Sequence, residues 1–218
     1  MKYLIKELME ERILKTPSII EAFEKVDRKD FVPEELKDKA YLNTPLPIGY
    51  GQTISQPLTV AFMLELLQPE KGNRVLEIGS GSGWQTALLA HIVSGGGKVF
   101  AAELIPELMD FGRKNVAKYD FIKKGTVEFH SFNAVKGFPE KAPFDRIISA
   151  AAGKEIPSAW KEQLKIGGRI VAPVKDVIHL LAKKGPLAGE AGETEFEESV
   201  YPGFAFVPLI SLKQDIQL

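Results

Sequence analysis

Cysteine is absent from the 218 residues, which removes disulfides, thiolate metal sites and any cysteine nucleophile at once. Histidine is scarce: His91, His130 and His179 stand apart, none with a second histidine at helical ligand spacing, so no metal site is expected. An excess of either charge is missing too. Twenty-eight Lys and Arg against 29 Asp and Glu leave a formal net charge of -1, with no basic stripe to hold a phosphate backbone, and nucleic acid is not expected as a partner. No apolar run reaches membrane-spanning length. The first residues interleave Lys2, Lys6, Glu7, Glu10 and Glu11 with apolar ones instead of forming the apolar stretch of a signal peptide. A cytoplasmic protein with no membrane partner is the expectation, and a monomer is favoured.

What is present is the make-up of an ordinary globular chain, 44% hydrophobic and 26% charged, long enough for one compact unit with a full core. Apolar residues at helical spacing predict helices over 3–15 and 18–26, with Ser18 placed to cap the second, and a short helix after Pro33. The segment 43–57, rich in proline and glycine, is predicted to be a shaped loop without regular structure. From Leu58 the pattern changes to helices (58–67, 84–93, 106–118, 157–164) alternating with short apolar strands (74–78, 98–103, 126–130, 144–149, 169–174). Strands buried on both faces and separated by helices predict a Rossmann-like, doubly wound α/β fold, its sheet mostly parallel with helices on both faces. Beyond Val174 the alternation stops. Residues 177–183, 194–200 and 204–210 read as strands of an antiparallel C-terminal edge, the first two joined by a turn-rich 185–192. The chain thus divides into N-terminal helices and a loop (1–57), a ligand-binding core (58–184) and C-terminal strands (185–218).

Chemistry enters at Glu77-Ile-Gly-Ser-Gly-Ser-Gly83, a glycine loop between a strand and a helix. Glycines there allow a tight turn and bring backbone amides toward a ligand at the helix N-terminus. Gly79, Ser80, Gly81 and Gly83 are the candidates, although a bare strand-to-helix turn reads the same way. The acids decide between ligands. A carboxylate at Glu77, two residues before the first glycine, repels a pyrophosphate but suits an ammonium and a sulfonium, so S-adenosylmethionine is favoured over a dinucleotide. A single residue, Ser82, before the third glycine also departs from the dinucleotide spacing. Glu103 ends the next strand about 20 residues beyond the loop, where an acid accepts both ribose hydroxyls, with Leu104 beside it. Asn133, after the third strand, fits two readings equally: a contact to adenine through its amide, or a turn residue. Gln52-Thr-Ile-Ser-Gln-Pro57 concentrates hydroxyls and amides ahead of the first core helix, and Ser55 reads as a helix cap, a substrate contact, or both.

Leu46-Pro-Ile-Gly-Tyr-Gly-Gln-Thr-Ile-Ser-Gln-Pro57 resembles the signature of protein-L-isoaspartate O-methyltransferases. Asp30-Phe-Val-Pro33, 74–87, Ala142-Pro-Phe-Asp145, Gly167-Gly168, Ala172-Pro-Val174 and Phe206-Val-Pro-Leu209 agree with it in order, so that the resemblance covers roughly 18–210. It implies methyl transfer from S-adenosylmethionine to the α-carboxylate of isoaspartyl residues in damaged proteins, after which the ester closes to a succinimide and opens the way to repair. It also implies a catalytic role for Ser55, with Thr53 as helper. The chain departs from the family in having Phe132-Asn-Ala134 for a common glycine-aspartate-glycine turn and Lys175 after Pro173-Val174. Those departures keep two alternatives open: methyl transfer to a different carboxylate, and a noncatalytic cofactor-binding relative.

Overall fold

The computed structural model describes residues 1–185 and 195–209. Two helices, α1 (Lys2–Glu10) and α2 (Pro17–Lys25), open the chain, followed by 3-10 turns at Arg28–Phe31 and Glu34–Lys39. A two-stranded hairpin, β1 (Leu46–Gly49) and β2 (Gln52–Ile54), precedes α3 (Pro57–Leu67). The core then runs β3 (Arg74–Ile78), α4 (Trp84–Val93), β4 (Lys98–Glu103), α5 (Pro106–Ala117), β5 (Val127–Ser131), β6 (Phe144–Ser149), α6 (Ser158–Glu162) and β7 (Leu164–Val174). It closes with β8 (Val177–Lys184) and β9 (Glu195–Pro202).

The main sheet has seven strands in the order β5-β4-β3-β6-β7-β8-β9. Pairing is parallel from β5 across to β7 and antiparallel at β7–β8 and β8–β9. This is the doubly wound fold expected from the alternation of apolar strands and helices, including its antiparallel edge. Each strand splits its side chains between two apolar layers. Val75 joins the layer under α2, α3 and α4, while Leu76 and Ile78 join the layer with Phe100, Phe144 and Trp160. The chain winds outward through β4 and β5, then returns to lay β6 against the other side of β3. That reversal between β3 and β6 opens a crevice at the carboxyl ends of the strands, where open α/β sheets hold ligands. Helix α4 is buried on nearly all sides, only His91 of its ten residues being part-exposed. No helix among the described residues is long and apolar enough to cross a membrane.

Several local expectations are corrected. Helix α1 ends at Glu10, short of residue 15, because Arg12 turns left-handed (φ 57°) and the amides of Ile13 and Leu14 fold back onto the Leu8 carbonyl. Segment 43–57 is not without regular structure. Leu46 pairs with Ile54 and Pro47 with Thr53, around a Tyr50-Gly51 turn in which both residues lie at positive φ (54° and 68°), as in a type I′ hairpin. Pro47 is tolerated because the hairpin has no third strand to which its missing N–H would donate. Helix α6 is shorter than 157–164, and β7 starts at Leu164, five residues earlier than predicted. Phe204–Leu209 is not a strand: Gly203 (φ 96°) breaks the chain away from β9, and the segment meets β6's loop only through an Ala152–Pro208 bridge. Ile210, and most of the expected turn 185–192 with Thr194, lie outside the described residues.

Ser18 does not cap α2. The helix begins at Pro17, whose fixed φ suits a first helical position, and its free amino end is held from a distance: the Lys15 and Thr16 amides donate to Glu65 Oε1 on α3 (2.7 Å each), and the Thr16 hydroxyl donates to Glu65 Oε2 (2.7 Å). Thermal denaturation tests the correction. Glu65→Ala is expected to cost about 1–3 kcal/mol, and Ser18→Ala to stay within about 0.5 kcal/mol of wild type.

Candidate active site

Residues from six stretches of chain converge on a cavity of about 520 Å³ at the β3/β6 reversal, within the range of about 300–1,000 Å³ usual for small-ligand sites. Gly79 and Gly81 come from the loop after β3, Glu103 and Leu104 from the end of β4, Asn133 from the turn after β5, and Thr53 and Ser55 from the hairpin's exit. Phe132, Ala150, Ala151 and the segment Gly203–Leu209 complete the wall. Members of both sets that sequence placed on cofactor and substrate, Gly79, Gly81, Glu103, Leu104 and Asn133 with Thr53 and Ser55, therefore share one chamber.

The glycine loop is held by internal hydrogen bonds. Its first two amides, Gly79 (2.9 Å) and Ser80 (3.2 Å), donate to the Ala102 carbonyl, and the Gly83 amide donates to the Ser80 carbonyl. The Gly81 amide donates to Glu103 Oε2 at 2.9 Å. Amides spent in this way, with a carboxylate among them, make a poor cradle for a pyrophosphate and favour a cationic ligand. The loop's glycines are required by geometry at two points. A Cβ on Gly83 (φ 83°) falls 2.7 Å from the Gly112 carbonyl of α5, and one on Gly112 falls 2.6 Å from the Gly81 carbonyl, so loop and helix touch backbone to backbone. Asn115 of α5 adds a bond from its side-chain amide to the Ser82 carbonyl.

Glu103 is buried, and its Oε1 accepts the Leu104 (2.8 Å) and Ile105 (3.0 Å) amides while Oε2 accepts that of Gly81. A carboxylate has about four acceptor positions. Three are filled by backbone amides, two on Oε1 and one on Oε2.

Glu77, Ser80 and Gly83 do not line the cavity. Glu77 is fully buried beneath the loop, accepting the Thr86 hydroxyl (2.6 Å) and the Gln85 side-chain amide (3.2 Å) from the first turn of α4. Burial pushes its carboxyl up to about 7 against the pull of these two donors. Ser80 turns inward as well, with its hydroxyl buried. These three residues shape the loop from behind. Asn133 uses its side-chain carbonyl to accept the Val135 amide (3.1 Å), an Asx turn, as the turn reading expects, and it also borders the cavity. Phe132 packs against Phe138 with ring centres 4.8 Å apart and planes tilted by 53°, and it lines the cavity next to Asn133.

Ser55 is not the cap of α3. Gln56 occupies that position without a capping side-chain bond, and the Leu58 amide is taken instead by Asn43 Oδ1 (3.0 Å). Capping makes no claim on the Ser55 hydroxyl. Sequence reasoning missed Asn43 and also Arg28, a fully buried guanidinium that donates to the Ser55 carbonyl at 3.1 Å. In Asp27-Arg-Lys-Asp30, four charged residues in a row, nothing marks the one that is buried. The same reasoning passed over the Gly203–Leu209 wall, which reads as another strand until its glycine is seen to turn it across the cavity.

Fold and chamber define a doubly wound α/β protein whose ligand pocket is suited to a cationic nucleoside rather than to a dinucleotide. The comparisons narrow this class. A family model described as protein-L-isoaspartate(D-aspartate) O-methyltransferase matches residues 1–214, and the chain belongs to that family. Among curated relatives, the protein-L-isoaspartate O-methyltransferase of Methanopyrus kandleri is 43% identical over 95% of this chain and 89% of its own. That of Staphylothermus marinus is 44% identical over 91% and 88%. A crystal structure from Plasmodium falciparum, assigned to the same activity and holding S-adenosyl-L-homocysteine, superimposes with a TM-score of 0.83 at 23% identity, covering 97% of this chain and 98% of that one. A second solved protein-L-isoaspartate O-methyltransferase gives 0.81 at 25% identity, over 95% and 65%.

The raised Glu77 carboxyl has a measurable consequence. Because its folded-state value lies above the ordinary 4.5, the folded protein holds a proton that the unfolded chain releases. The associated stability is present below pH 4.5 and is lost as pH rises through about 7. Chemical denaturation at a series of pH values is expected to show wild type losing up to about 3 kcal/mol more than Glu77→Gln between pH 4 and pH 8.5. Parallel curves for the two proteins would assign the pH dependence to other groups.

Proposed function

We propose that this protein transfers the methyl group of S-adenosylmethionine to the α-carboxylate of L-isoaspartyl residues in damaged proteins, and that Ser55 aims the acceptor. The observation that carries the reading is the single chamber joining the glycine loop and Glu103 to Thr53 and Ser55, in a chain of this family.

When bound, S-adenosylmethionine supplies an electrophilic methyl on a sulfonium. Glu103 is suited to accept one ribose hydroxyl on Oε2. Gly79, Gly81 and Leu104 offer the close backbone approach that a nucleoside needs, and Phe132 with Asn133 borders the place for its base. The acceptor carboxylate is already ionised at neutral pH, since its ordinary pKa is about 4. Its oxygen forms the new bond to the methyl carbon as the carbon–sulfur bond breaks, and the electron pair leaves on sulfur. No proton has to move, so no general base is needed, and orientation supplies the rate. A hydroxyl such as that of Ser55 donates to one carboxylate oxygen and directs the other, with Thr53 at the chamber's exposed rim beside it. The ester then closes, without the enzyme, to the succinimide that permits repair: the adjoining amide nitrogen, losing its proton, attacks the ester carbonyl and methanol leaves. Glu77, Ser80 and Gly83 act in this reading by shaping the loop rather than by touching the cofactor. The near-neutral charge of -1 supports a protein rather than a nucleic-acid substrate, and we place the activity in the cytoplasm, with a monomer as the working unit.

Incubation with methyl-labelled S-adenosylmethionine and matched isoaspartyl and aspartyl peptides is expected to give base-labile methyl ester on the isoaspartyl peptide alone. Ester on neither peptide, with cofactor bound, would refute the assignment. Ser55→Ala is expected to lower kcat roughly 10- to 100-fold, the worth of one hydrogen bond to a charged group, with cofactor affinity preserved; a matching loss of cofactor binding would remove Ser55 from the acceptor's side.

A further inference from the structure

Arg28 opens the 3-10 turn Arg28–Phe31 and is entirely buried, yet it forms no salt bridge among the described residues. The acids of its own turn are engaged elsewhere: Asp27 accepts the Lys29 amide and the Tyr41 hydroxyl, and Asp30 accepts the Tyr119 hydroxyl. The guanidinium instead donates to four backbone carbonyls. Nη1 reaches Ala40 (2.7 Å) and Leu42 (3.2 Å), and Nη2 reaches Thr44 (3.0 Å) and Ser55 (3.1 Å). Its Cζ lies over the ring of Trp84, 5.3 Å from the ring centre, and Trp84 follows Gly83 and begins α4.

Burying a cation without a counter-ion is unfavourable, and an apolar side chain fills such a volume at lower cost. The site therefore calls for what only this group provides. Ala40, Leu42 and Thr44 lie on the strand of chain entering the β1–β2 hairpin and Ser55 on the strand leaving it, and one planar fork joins both. Its cation–π contact with Trp84 fastens that junction to the helix that the glycine loop feeds. Lysine, with a single compact ammonium, cannot meet the two pairs of carbonyls and lie over the ring at once. Desolvation draws the guanidinium down to about 10, which leaves it charged at neutral pH.

We propose that Arg28 is a positioning residue for methyl transfer: by tying both ends of the hairpin to the first residue of α4, it sets where the Ser55 hydroxyl stands relative to the glycine loop. The proposal rests on the role given above to Ser55, and its test keeps the two apart. Arg28→Lys and Ser55→Ala are assayed side by side for kcat and KM with an isoaspartyl peptide, for S-adenosyl-L-homocysteine affinity by calorimetry, and for backbone hydrogen exchange. Arg28→Lys is expected to lower kcat roughly 10- to 100-fold with cofactor affinity held within about twofold, as misplacement of a reacting group does, and to speed exchange across residues 43–56. Wild-type kcat in the lysine variant overturns the proposal. So does a loss of cofactor affinity in step with kcat, which marks general loosening of the fold. Where the lysine variant is not recovered folded, Arg28→Gln, which removes the buried charge, carries the same readouts. Wild-type turnover in Ser55→Ala removes the reading of Ser55 alone, and Arg28's hold on the hairpin is then decided by exchange over 43–56.

Discussion

The carboxylate of Glu103 is the constraint on which the site depends. Three backbone amides, those of Gly81, Leu104 and Ile105, converge on its two oxygens. The bond to Gly81 crosses from the end of β4 to the loop after β3, so one side chain fixes the spacing of two adjacent strand ends. A charge-assisted bond of this kind is worth about 1.5–3 kcal/mol. Three of them converge on one buried side chain and fix where its oxygens stand.

Everything behind that carboxylate is arranged to keep the loop in place. Gly112 of α5 permits backbone contact with Gly81 and Gly83, Asn115 holds the Ser82 carbonyl, and Glu77 secures the first turn of α4 through Thr86 and Gln85. The substrate side is built differently. Its hairpin has two strands, too few to be stable alone, and leans on Leu46, Ile48 and Ile54 packing into the core and on Arg28 and Asn43 bonding its flanks. The glycine-loop side is thus braced on several elements, while the Thr53–Ser55 side is a small hairpin pinned to the core.

Much of this was legible in the sequence, and the failures have physical reasons. The strands of the sheet came through because they are short apolar runs buried on both faces, a pattern with few competing explanations. The glycine loop and Glu103 could be placed because strand ends fix where a loop and an acid must lie. Glu77 was assigned to the ligand because spacing gives proximity along a strand without direction, and Glu77 points beneath the loop. The hairpin is missed because proline and glycine read as breakers, although a two-stranded ribbon tolerates Pro47 and its left-handed turn favours Gly51. Ser18 reads as a cap, and Ser55 as a cap, a substrate contact or both, because capping is judged from neighbours in sequence, while Glu65 and Asn43 do that work from 49 to 50 and from 15 residues away. Arg28 belongs with these: its role lies in carbonyls that no side-chain pattern records.

The claim that one carboxylate organises both loop and cofactor site is tested most directly by calorimetric titration of S-adenosyl-L-homocysteine into wild type and Glu103→Gln. Glutamine keeps the shape but sets an NH₂ group against backbone donors, so the account predicts an affinity loss of roughly 10- to 100-fold, the worth of one or two charge-assisted bonds. Affinity within about twofold of wild type, less than half a kcal/mol, would contradict it.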